Sequence, residues 1–130
     1  MPLRPLLGLT LSLTFLAPAC ADDEPIEPVV VTEDEIPCSG VNEAGIWQSV
    51  PPLPDKTCEW FEYRGRTTYQ FPHSLGRVPA EFFAYMSFSS VGSSAGQPGG
   101  DTFLIDEATE DYVIVRNSTN QAFYLRLVLE

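Results

Sequence analysis

The stretch "AFYLRLVL", Ala122 to Leu129, alternates without a break. Phe123, Leu125, Leu127 and Leu129 fall on one side, with Tyr124 and Arg126 on the other, because successive side chains of an extended chain point to opposite faces. Wound as a helix, the same residues would spread around the axis and leave no apolar stripe. The stretch therefore reads as a strand with one face on a core. The same period recurs upstream. "TTYQF" (Thr67 to Phe71) places Thr67, Tyr69 and Phe71 together, and "AEFFAYMSF" (Ala80 to Phe88) sets Phe82, Ala84, Met86 and Phe88 against Phe83 and Tyr85. "DTFLID" (Asp101 to Asp106) and "DYVIVRN" (Asp111 to Asn117) continue the series, and "GIWQSV" (Gly45 to Val50) and "CEWFEY" (Cys58 to Tyr63) carry a weaker form of it.

Short polar breaks separate these runs, among them "RGR" (Arg64 to Arg66), "EATED" (Glu107 to Asp111) and "STNQ" (Ser118 to Gln121). Gly65 is expected to supply a positive φ in the first of them. No segment after Pro37 carries a helical stripe of about ten residues. Six to seven short strands at this spacing predict an all-β domain over 38–130, a small antiparallel sandwich or barrel.

The beginning of the chain has a different character. "MPLRP" carries one base, Arg4, and "LLGLTLSLTFL" (Leu6 to Leu16) has no charge and ends in "APA" (Ala17 to Ala19). A basic start, a short apolar core and small residues at its exit predict a signal peptide over 1–19. The apolar run is shorter than the roughly 20 residues that span a bilayer. "LAPAC" (Leu16 to Cys20) resembles the lipobox of bacterial lipoproteins. That resemblance implies cleavage before Cys20 and a lipid on its sulfur. Ordinary cleavage after Ala19 or Ala21 also fits the small-x-small rule, and would leave a secreted protein.

Residues 20–37 hold seven acids, several prolines and no base, the composition of a disordered tether. An anchored protein has use for such a spacer. The expectation is a cell-envelope protein held at the outer membrane through an N-terminal lipid. With Cys20 acylated or removed, Cys38 and Cys58 remain as an even pair, suited to a disulfide in an oxidising compartment.

The chain carries 18 acids against 7 Lys and Arg, a formal net charge of −11. No basic stripe is present to neutralise phosphates, so a nucleic-acid partner is not expected.

Several motifs resemble chemistry without its context. "GSSAG" (Gly92 to Gly96) spells the G-x-S-x-G of serine hydrolases with Ser94 as nucleophile, but "QPGGD" follows where that motif requires a helix. The single histidine, His73, precedes the serine, the reverse of the order in that family. "DEATED" (Asp106 to Asp111) clusters carboxylates without the ligand spacing of a calcium loop, and "NST" (Asn117 to Thr119) matches a glycosylation sequon. No catalytic residue, metal or cofactor is expected from these.

"FPHSLGRVP" (Phe71 to Pro79), with its H-x-L-G-R-x-P spacing, resembles a strand connection of H-type-lectin-like and phage tail-fibre-type β-proteins. The resemblance implies a β-fold and raises a carbohydrate-binding module as one reading, beside an envelope binding or structural role. The residues for binding are the reverse-face aromatics and their bases, Tyr85, Tyr112, Arg116, Tyr124 and Arg126, if one sheet surface gathers them. Their target would be a glycan or an envelope protein.

Overall fold

The computed structural model describes residues 27–54 and 57–130. The signal-peptide segment and Cys20 lie outside the described residues. Nine strands are present among them: β1 (Val29–Val30), β2 (Gly40–Val41), β3 (Trp47–Gln48), β4 (Phe61–Tyr63), β5 (Thr67–Pro72), β6 (Phe82–Ser87), β7 (Leu104–Ala108), β8 (Tyr112–Asn117) and β9 (Phe123–Leu129). They form two facing sheets that do not close into a barrel.

One sheet has four strands in the order β1-β5-β8-β7. The other has five, built around β9. Along one edge β9 pairs with β6 in full, from Phe82↔Leu129 to Ser87↔Tyr124. Its other edge is shared, with β3 against Val128 and Leu129 and β4 against Phe123, Tyr124 and Leu125. The unbroken alternation of 123–129 is thus that of the central strand. Leu125, Leu127 and Leu129 are fully buried, and face Phe71, Val113 and Val115 of the opposite sheet. Each such side chain contributes about 1.5–3 kcal/mol by leaving water.

The acidic N-terminal segment is corrected in its described half. Residues 27–37 are not a free tether. Val29 and Val30 add a parallel strand beside Tyr69 and Gln70, and Val31 and Ile36 insert into the core at 1 % and 4 % exposure. Between them a 3-10 turn (Glu33–Glu35) is closed by a capping box, in which Thr32 N–H and Oγ1 both bond Glu35 Oε1. The acids stay in water while two apolar side chains anchor the segment, a pattern that average composition conceals.

A bidentate pair between Arg116 and Asp106, at 3.0 and 3.1 Å, ties β8 to β7, which carries a register shift between Ile105 and Glu107. Gly65 does not adopt the positive φ expected of it. The neighbouring Arg66 does, at 52°. Gly65 is needed for closeness instead, since a Cβ there would lie 2.6 Å from the Asn120 carbonyl carbon. Gly76, in the connection between β5 and β6, does take a positive φ of 73°.

Candidate functional site

Cys38 and Cys58 form a disulfide with Cα atoms 5.9 Å apart. The bond closes the loop that contains β2, β3 and the proline-rich arm after Val50. It also nucleates a second, smaller core on the outer surface of the five-stranded sheet. Val50, Cys58 and Trp60 are buried there, with Cys38, Tyr85 and Tyr124 packed against them. Trp60 precedes β4 and, like Glu62, turns away from the main core that Phe61 and Tyr63 enter. One face of the sheet is therefore partly clothed by the arm, and beside the arm a groove is left.

The groove, of about 480 Å³, is bounded by Pro52 and Leu53 of the arm and by Gly92, Ser94 and Ala95 of the loop after β6. Tyr85 and Arg126 make its floor, with Trp60 beneath. Tyr85 and Arg126 are directly opposed across the β6–β9 pair, and the guanidinium carbon sits 5.2 Å from the Tyr85 ring centroid. This is a cation–π contact. Arg126 donates from Nε to the Val50 carbonyl at 2.9 Å and from Nη2 to Gln48 Oε1 at 2.9 Å. Both acceptors are neutral. Among the described residues no carboxylate pairs with it, and burial lowers its pKa from the ordinary arginine value.

The five residues expected to form one patch are divided by the sandwich. Tyr85, Tyr124 and Arg126 share the outer surface of the five-stranded sheet. Tyr112 and Arg116 lie on β8, whose alternate residues Val113, Val115 and Asn117 fill the interior, so they face outward from the four-stranded sheet on the opposite side of the molecule. There Arg116 is held by Asp106, and the Tyr112 hydroxyl donates to Glu107 Oε1 at 3.3 Å. The adjacent Glu107 charge raises the Tyr112 pKa.

The other motifs resolve into structural roles. His73 accepts from the Leu75 N–H at Nδ1, at 3.3 Å, which leaves Nε2 protonated and donating to the Thr109 carbonyl at 2.8 Å. Neither nitrogen is open to Ser94. Ser94 itself sits in an exposed turn with φ 54°, and no helix follows it. Of the "DEATED" carboxylates, Asp106 and Glu107 are held by Arg116 and Tyr112. Among the described residues no three His, Cys, Asp or Glu side chains gather as metal ligands would. Asn117 of the sequon is fully buried.

Periodicity marks the stretch holding the groove's indole only weakly and does not mark its arm. Trp60 lies outside any strand, and Pro52 and Leu53 belong to a loop. The signal for the arm is the cysteine spacing, since a Cys38–Cys58 staple is expected to pin the proline-rich stretch from Val50 to Lys56 against the sheet, and Val50 is buried there beside Cys58 and Trp60. No family model, curated protein or solved structure matches this chain.

Proposed function

We propose that the protein is a non-catalytic binding module displayed at the cell envelope, with the Tyr85–Arg126 groove as its ligand face. The single observation that carries this reading is the half-buried Arg126, stacked on Tyr85 in an open groove and lacking an acidic partner among the described residues. A cation placed only to hold the arm would be better matched by a carboxylate, as Arg116 is by Asp106. The absence of a helix after Ser94 and the engagement of both His73 nitrogens weigh against a serine hydrolase. Aromatic rings beside an arginine also favour the carbohydrate-binding reading over a purely structural one.

Display at the envelope rests on the leader and on the lipobox-like "LAPAC". Intact mass of the protein from bacterial membranes tests that half. A species beginning at Cys20 and heavier by a lipid is expected, and one beginning at Asp22 without lipid would make it a secreted protein. The binding half is tested by a glycan array probed with the purified protein and with Tyr85→Ala. Retention on a glycan class that the variant loses is expected. Retention unchanged in Tyr85→Ala would move the ligand face elsewhere.

A further inference from the structure

We infer that the groove takes a carboxylated saccharide, such as a uronic acid unit, with its carboxylate on the free end of the Arg126 fork. This rests on the groove being the ligand face. A guanidinium carries five N–H donors. Val50 and Gln48 use two of them, on Nε and Nη2. Nη1 has no partner among the described residues, so the Nη1–Nη2 end stays open, and that end matches a carboxylate with two parallel hydrogen bonds. Among the described residues Arg126 is also the only charged side chain lining the groove. In a chain with 18 acids, the ligand would supply the counter-charge that the described residues withhold.

The rest of the lining identifies the body that carries the carboxylate. The Tyr85 ring, Pro52 and Leu53 offer apolar surface beside the cation, and Leu53 is 78 % exposed. Beneath them the buried Trp60 Nε1 has no partner among the described residues, and its indole abuts Gly92 of the groove wall. An extended peptide seeks a free strand edge. The groove has none, because its floor is the β6–β9 pair and β9 is bonded along both edges. The free edge lies elsewhere. Phe82 and Ala84 of β6 point their backbone groups away from β9, in the same sense as Met86, which pairs with Gly96. A groove that reads side-chain faces and one carboxylate suits a pyranose ring better than a main chain.

The test is calorimetric titration of the full-length protein in detergent, with a galacturonic acid trimer, its methyl ester, and a short peptide with a free C-terminal carboxylate. The expected result is uronate binding at least about tenfold tighter than the ester, since esterification removes the charge from the two parallel hydrogen bonds to the guanidinium. That preference should shrink as salt is raised and vanish in Arg126→Gln. Because Arg126 also braces Val50, Leu53→Ser provides an exposed variant, expected to fold normally and to weaken uronate and ester alike. Equal affinity for uronate and ester overturns the carboxylate assignment and leaves the groove as a sugar site. Binding of the peptide alone overturns the saccharide. A uronate preference that survives in folded Arg126→Gln overturns the role of Arg126. Binding of no probe at millimolar concentration overturns the inference, while the Tyr85→Ala array separately decides whether the groove is the ligand face.

Discussion

Gly92 lies against the Trp60 indole so closely that a Cβ at that position would overlap the ring. Its φ of 77° is also one that L side chains rarely adopt. Both constraints act on the loop that forms one wall of the groove. Gly92→Ala is therefore expected to destabilise the protein by about 2–4 kcal/mol, combining left-handed strain with overpacking. Gly76→Ala is the control, since Gly76 has a similar φ of 73° but open space around it. It should cost only the strain, about 1–2 kcal/mol. Urea unfolding followed by tryptophan fluorescence measures both.

Val31 donates its amide to the Gln70 carbonyl at 2.9 Å and buries its side chain in the sandwich. The segment that leads in from the N-terminus thus belongs to the folding unit. Val31→Ala is expected to cost about 2 kcal/mol. Hydrogen exchange gives the sharper measurement. The Val31 amide should be protected nearly as well as those of β5, whereas exchange at the rate of a free chain would mean that the strand pairing does not persist in solution.

Most residues of the strands that bury one face and wet the other were legible from alternation, though Phe88, grouped with Phe82, Ala84 and Met86, lies past the end of β6 and is 77 % exposed. Leu125 opposite Arg126, and Val113 opposite Tyr112, sit where alternation puts them. Three features were not. β1 and β2 are two residues long, too short for any period to show, and of the weakly periodic "GIWQSV" only Trp47 and Gln48 form a strand, β3. The division of the aromatics between two outer surfaces depends on which sheet each strand joins, and that is a matter of non-local pairing. The pattern of "DTFLID" predicts a strand from Asp101, yet Gly100–Thr102 form a 3-10 turn and β7 begins at Leu104. There Thr102 Oγ1 and N–H both bond Gly99 O, a local bond that competes with the ladder.

Asn117 ends β8 fully buried, and its amide closes the loop to β9. Nδ2 donates to the Gln121 carbonyl at 2.9 Å, and Oδ1 accepts from Thr119 N–H and Oγ1 at 3.0 and 2.6 Å. Asn117→Ala would leave backbone groups at both ends of the turn without these partners. The expected cost is about 2–3 kcal/mol, against less than about 0.5 kcal/mol for the exposed Ser118→Ala. Thermal or urea unfolding of the pair checks this. A near-neutral Asn117→Ala would mean that water replaces the side chain, and that the turn is set by its backbone alone.

Tyr63 is fully buried, and its hydroxyl donates to the Thr102 carbonyl at 2.9 Å. Burial raises its pKa well above the ordinary phenol value, and the neighbouring Tyr69 adds to the shift. In the unfolded chain the phenol loses its proton near pH 10, while in the folded chain it keeps it. Above that pH the unfolded state binds fewer protons than the native one, so stability falls as pH rises. Below it Tyr63 contributes no slope. The expected loss is about 1.4 kcal/mol per pH unit once the unfolded phenol has ionised. Tyr63→Phe should cost about 1 kcal/mol at neutral pH through the lost hydrogen bond, and should flatten the alkaline limb. Urea midpoints of both proteins, from neutral pH to about pH 11, make the comparison. Parallel alkaline limbs would assign the loss to other groups, and would mean that the Tyr63 hydroxyl is hydrated in the native state.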